Sequence, residues 1–119
     1  MTSYILTLHN SPWSSQSVLT ACQYATAAIK SGKKVNALFL YQDAVLNVNN
    51  QLDIPSDELN GHQVLKKLHH DFGVKILFCV TAAEKRGINL DNTDSAFTLA
   101  GLAEFAELTT NTHKVIQFK

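Results

Sequence analysis

At 119 residues and 13.1 kDa the chain has the length of one ordinary domain, and with 45% apolar and 17% charged residues it can bury a core without disulfide or metal staples. Ten Lys and Arg balance ten Asp and Glu, and this zero formal charge excludes nucleic-acid or anionic-membrane binding driven by a basic excess. A mean hydropathy of -0.03 fits a water-soluble globule. The first charged side chain is Lys30, yet the stretch before it is not expected to be an export or membrane segment. Asn10, Ser11, Pro12, Ser14, Ser15, Gln16 and Ser17 break it, and it holds no run of about 18 apolar residues. A cytoplasmic location is expected. Cys22 and Cys79 are too few for a secreted disulfide framework, and they form no CxxC pair.

Residues 4–8 form a short β-rich run. Val18, Ala21, Cys22, Ala25, Ala28 and Ile29 then recur at three- and four-residue spacing, the stripe of an amphipathic helix. Ser14 or Ser15 can cap it, and Gly32 stands where a helix end favours a left-handed residue. Residues 35–41 read as the second strand. A polar, Asn-rich stretch follows, holding Val45, Leu46 and Val48. Ser56 or Asp57 opens a second helix with Leu59, Val64, Leu65 and Leu68 on one face, and Gly73 ends it. Residues 74–80 are nearly continuous in apolar side chains, as a doubly covered strand should be. A helical turn over 81–86 stops at Gly87. Asp94 or Ser95 caps a last helix using Phe97, Leu99, Leu102, Phe105 and Leu108, and residues 115–118 close the chain as a strand.

This alternation predicts an α/β fold: one domain over residues 1–119, a three-layer α/β/α sandwich with a mainly parallel, flavodoxin-like sheet. In such a sheet reactive groups gather at the carboxyl ends of the strands, here in segments 9–17, 41–50 and 79–87. Cys79 stands out there. It ends a strand and precedes a helical turn, so the free N–H groups of Thr81 and Ala82 and the charges of Lys85 and Arg86 are placed to stabilise a thiolate. The alternative is a small apolar side chain filling a strand. Cys22, on an apolar helical stripe, reads as core. His9 ends the first strand and is either a group that steers a ligand or a polar loop residue. Trp13 either lines a site or subunit contact or packs over the core. His69-His70-Asp71 lacks metal-ligand spacing and reads, like His62 and His113, as solvated. The first loop holds no glycine, so no phosphate loop can be drawn there, which counts against a flavodoxin-type nucleotide or small-ligand binder. No GxSxG elbow supports a serine hydrolase.

The run Phe78-Cys79-Val80-Thr81-Ala82-Ala83-Glu84-Lys85-Arg86-Gly87 resembles the C-x-x-A-A-x-x-R-G segment of the DsrE/TusD family of sulfur-relay proteins. The resemblance continues through Ser11-Pro12-Trp13-Ser14-Ser15-Gln16, Phe39-Leu40-Tyr41, the segment from Asp43 to Asn49, Phe97-Thr98-Leu99-Ala100-Gly101-Leu102 and Lys114-Val115-Ile116-Gln117-Phe118. One departure is His9-Asn10-Ser11-Pro12, where relatives commonly carry a glycine. The resemblance implies a DsrE-like fold and a sulfurtransferase subunit that takes sulfane sulfur from a carrier protein onto Cys79 as a persulfide. It then passes the sulfur to another carrier, toward 2-thiolation of the wobble uridine of tRNA. It further implies TusB- and TusC-like subunits in a hetero-oligomer, no direct nucleic-acid or membrane contact, and no metal or organic cofactor. A DsrE-type subunit of dissimilatory sulfur oxidation and a non-catalytic assembly subunit are the alternatives. Val45, Leu46 and Val48, with His9 and the Trp13 loop, are expected to line the site or form subunit contacts.

Overall fold

The computed structural model describes residues 2–119. Strands β1 (Ser3–Leu8), β2 (Lys34–Leu40), β3 (Lys75–Cys79), β4 (Phe97–Ala100) and β5 (Lys114–Phe118) form one all-parallel sheet in the order β4-β3-β2-β1-β5. Helices α1 (Ser17–Lys30), α2 (Gly61–Phe72), α3 (Val80–Glu84) and α4 (Leu102–Thr110) make the crossovers, and a 3-10 helix, Gln42–Val48, follows β2. Leu6, Leu8, Leu38, Leu40, Ile76 and Phe78 are fully buried along the three central strands, the continuous apolar runs that a sheet covered on both faces requires. Helices α1 and α2 pack on each other and on the sheet. Phe39 meets α4 through Phe105, with ring centroids 4.5 Å apart. The expected three-layer α/β arrangement is therefore present.

Helix ends differ from the expected positions. At α1 the cap position falls to Gln16, whose side chain makes no cap bond, while Ser15 Oγ accepts the Ser17 N–H at 3.2 Å. Gly32 (φ 89) closes the helix as expected: Lys33 N–H reaches the Ala28 carbonyl at 2.9 Å and its own N–H reaches Ile29. Helix α2 begins at Gly61, after Asn60 accepts the Gln63 N–H at 3.2 Å, and not at Ser56 or Asp57. The largest departure is residues 97–100, read from the sequence as helix. Their apolar spacing suits a helix face or a short strand, and the open side of β3 decides, pairing Ile76 with Phe97 through to Cys79 with Ala100. Gly101 then opens α4, with Glu104 Oε1 accepting its N–H at 3.4 Å.

Val45 and Val48 are corrected from surface contacts to core: both are fully buried in the 3-10 helix, whose inner side faces the main cluster, and Leu46 packs against it half-buried. One histidine is corrected as well: His62 is buried, its Nδ1 2.7 Å from the Asn47 carbonyl oxygen and its Nε2 2.8 Å from Asp94 Oδ2. His113 is exposed, as expected, and its Nδ1 accepts the Ser3 N–H at 3.0 Å, joining the start of β5 to that of β1. Asp94, freed from capping, also takes Lys66 Nζ at 2.9 Å, so the chain before β4 is fastened to α2 and through His62 to the 3-10 helix. The Asn47 side chain donates to the Ala44 carbonyl at 3.0 Å, while its Oδ1 is buried without a partner against Gly61.

Two outcomes follow from this fastening. A Cβ on Gly61 would collide with the Asn47 carboxamide oxygen, which is held in the core, so Gly61→Ala should destabilise by about 1–3 kcal/mol in denaturant unfolding. The Lys66 ammonium, with His62 and Asn50 and against the opposing effect of burial, holds the Asp94 carboxyl below the ordinary aspartate range. The stabilisation is thus complete above a pH of about 3.9 and is lost as pH falls through the lower folded value. Asp94→Asn should lower the urea midpoint at about pH 6, and its deficit relative to wild type should shrink by about pH 2.5.

Candidate active site

Strand β3 delivers Cys79 to the carboxyl edge of the sheet, and the chain turns at that residue. Cys79 is both the last strand residue, paired with Ala100, and the cap position of α3 (φ -67, ψ 125). No side chain caps α3, so its first N–H groups have no side-chain acceptor beside the thiol. With five residues α3 offers these donors more than it offers a macrodipole. Gly87 (φ 71) ends the turn, and Ile88 N–H bonds the Ala83 carbonyl at 2.9 Å.

A cavity of about 270 Å³ opens beside the thiol, and Cys79, Thr81, Ala82, Lys85 and Arg86 all line it. Tyr41, Gln42 and Leu102 complete the wall. The structure therefore brings the sequence-derived group together and adds three residues not singled out from the sequence, of which Tyr41 and Gln42 fall within the edge segment 41–50 and Leu102 does not. Tyr41 and Gln42 stand just past β2 on the reactive edge. Gln42 holds a left-handed backbone (φ 50), the only non-glycine to do so among the described residues. Leu102 was hidden by reading residues 97–108 as one helix.

Two expected properties of the group change. Arg86 does not point its charge at the sulfur. Its Nε and Nη2 donate to Asp43 Oδ1 at 3.0 and 2.8 Å and its Nη1 to the Ala82 carbonyl at 2.9 Å, binding α3 to the 3-10 helix. Lys85, exposed at the rim, makes no ion pair among the described residues and is the uncommitted cation of the cavity. The thiol is also less open than its edge position suggests: Cys79 is 1% exposed. Leu102, delivered by β4 to the start of α4, stands in the cavity wall beside it. A sulfur added to Cys79 would stand about 2.05 Å beyond Sγ.

His9 lies next door. Its Nδ1 is 3.2 Å from Gln42 Oε1 and its Nε2 is 3.0 Å from Gln117 Nε2. It lines an apolar cavity of about 370 Å³ with Phe39 and Phe105 that shares Tyr41 and Leu102 with the Cys79 cavity. Trp13 lines neither. It stands 65% exposed over a separate groove.

The fold and site thus define an open, all-parallel α/β domain whose third strand ends in a cysteine at a helix start beside a small cavity. Residues 2–118 match the DsrE/DsrF-like family model, and the chain belongs to that family. It is 32% identical to the protein named Sulfurtransferase TusD of Klebsiella pneumoniae (strain 342), over 97% of this chain and 98% of that one. It is 33% identical to the Sulfurtransferase TusD homolog of Vibrio vulnificus (strain YJ016), over 97% and 96%. Among solved structures the ychN protein from E. coli superposes with a TM-score of 0.85 at 25% identity, covering 99% of this chain and all of the other. Among the described residues no helix is long and apolar enough to cross a membrane.

The second cysteine supplies a control. Cys22 sits in the core on α1, and burial pushes its thiol up to about 12. Its thiolate is therefore scarce at neutral pH. Iodoacetamide near pH 7.5 should modify Cys22 of the folded protein about 1,000-fold more slowly than a free thiol, as read by peptide mass spectrometry.

Proposed function

We propose that the protein is a sulfurtransferase that relays sulfane sulfur as a persulfide on Cys79. The observation that carries this reading is the cysteine itself: in a chain similar over nearly its whole length to TusD sulfurtransferases, Cys79 meets uncapped helix N–H groups and a polar cavity at the sheet's carboxyl edge. In the first step the Cys79 thiolate attacks the outer sulfur of a carrier's persulfide. The new S–S bond forms on Cys79 as the bond to the carrier sulfur breaks, and the carrier leaves as a thiolate. An acceptor thiolate then attacks the same outer sulfur and restores Cys79. Electrons balance at each step, so no oxidant is consumed.

The chain's groups have distinct roles in this scheme. The N–H groups of Thr81 and Ala82, in the uncapped first turn of α3, are assigned to the anionic sulfur, Lys85 to positive potential at the rim, and Arg86 to holding the cavity wall by binding Asp43. A volume of about 270 Å³ is room for about nine water molecules, so it admits the tip of a narrow segment and not a folded surface. Sulfur carriers that present their cysteine on such a segment are the donor and acceptor, with 2-thiolation of tRNA wobble uridine as the destination. TusB- and TusC-like subunits complete the assembly in the cytoplasm. Leu99, Leu102 and Val115, exposed on the α4 side, offer surface for such a contact in place of Val45 and Val48.

The 1% exposure of Cys79 favours a second reading, a subunit that assembles the complex without carrying sulfur. One experiment separates the two. After incubation with a persulfidated donor, intact mass should show one added sulfur on the peptide containing Cys79. Cys79→Ser should reduce acceptance to background, and Cys22→Ser should retain it. Sulfur accepted equally by the Cys79→Ser protein would overturn the relay, and a wild type that takes up none would favour the assembly role.

A further inference from the structure

A groove of about 440 Å³ lies outside the Cys79 site, between the loop that follows β1 and the loop that follows the 3-10 helix. Pro12, Trp13, Leu52, Ile54 and Pro55 supply its apolar surface, and Asp53 and Glu58 stand in its wall. Trp13 is the single tryptophan of the chain and is 65% exposed. We infer that this groove is a docking site for a lysine- or arginine-bearing segment of a partner protein.

Charge selects that occupant. No Lys or Arg occurs before residue 30, nor between residues 44 and 65, so neither wall of the groove carries a cation. Asp53 and Glu58, with Asp57 between them, are exposed and form no ion pair among the described residues. A cation entering the groove meets two carboxylates without an ion pair among the described residues and the Trp13 indole, the aromatic group that attracts cations most strongly. An anionic segment meets repulsion, and an apolar one leaves the carboxylates uncompensated.

The rest of the molecule reinforces the selection. Lys34, Lys75 and Lys114 each begin a strand, and Lys30 ends α1 at the same end of the sheet. Asp43, Asp53, Asp57 and Glu58 lie in the segments beyond the carboxyl end of β2, and Asp91 and Asp94 in the segment between α3 and β4. Asp43 and Asp94 are paired with Arg86 and Lys66, and Lys85 is a free cation of the Cys79 cavity. Asp53, Asp57 and Glu58, without an ion pair among the described residues, are the carboxylates of the Cys79 edge that gather beside the groove. Strands β1 and β3 end on that edge two strand spacings, about 10 Å, apart. The inference rests on the shape and charge of the groove and holds whether or not Cys79 carries sulfur.

Trp13 makes its own reporter, because all tryptophan fluorescence arises in the groove. The full chain is titrated with acetyl-Leu-Lys-Pro-Arg-Leu-amide and with the matched peptide carrying Glu at both basic positions, each to about 5 mM. The basic peptide should give a saturable change in Trp13 emission, and the acidic one should give none. The double substitution Asp53→Asn, Glu58→Gln, on exposed side chains that carry no fold contact, should weaken the basic peptide about tenfold. No saturable change, equal response to both peptides, or unchanged affinity in the double variant would each overturn the inference.

Discussion

Parallel pairing governs everything else in this molecule. When all five strands run the same way, every strand must end on one edge, and every return must cross a face of the sheet. The segments that follow β1, β2 and β3 are therefore collected at one rim without any contact among them having to bring them there. Cys79, the Gln42 backbone, His9 and the Trp13 loop share that rim for this reason. Strand β3 is also flanked on both sides, by β2 as far as Phe78 and by β4 as far as Cys79, which pairs with Ala100.

The two cysteines are both almost free of solvent and sit in different settings. Cys22 lies in the core on α1 and borders the groove between α1 and α2, whereas Cys79 borders the cavity at the sheet edge and a helix start without a capping side chain. Charging Cys22 means losing hydration for nothing in return, which is why its thiol is pushed up. Beside Cys79 the first turn of α3 has no capping side chain, Arg86 holds α3 against the 3-10 helix through Asp43, and Lys85 stands at the cavity rim without an ion pair among the described residues.

Net charge conceals as much as it reveals here. A balance of ten and ten excludes a protein that binds by bulk charge, yet it says nothing of how those charges are arranged. Lys34, Lys75 and Lys114 stand at strand starts, while Asp53, Asp57 and Glu58 cluster in the loop after the 3-10 helix with no Lys or Arg between residues 44 and 65. Charge that cancels over the chain is therefore unevenly placed, and its effect at moderate salt reaches about 10 Å.

Much of the architecture was written in short-range pattern. The apolar runs of β1, β2, β3 and β5, the stripe of α1, and the stops at Gly32, Gly73 and Gly87 each express a local preference of a few neighbouring residues, so they can be read in one dimension. The C-x-x-A-A-x-x-R-G run beginning at Cys79 was equally legible, because the cavity it lines is built largely from its own turn. What stayed hidden depended on residues far apart in the chain. Residues 97–100 become β4 only because β3 has a free side to pair with. Gly61 must stay without a side chain because Asn47, far off in the chain, lies against it, and Val45, Val48 and His62 turn inward because the 3-10 helix closes over the core. The surroundings of Cys79 belong to the same class: Ala100 beside it in the sheet and Leu102 in the cavity wall are brought there by long-range packing that no local spacing encodes.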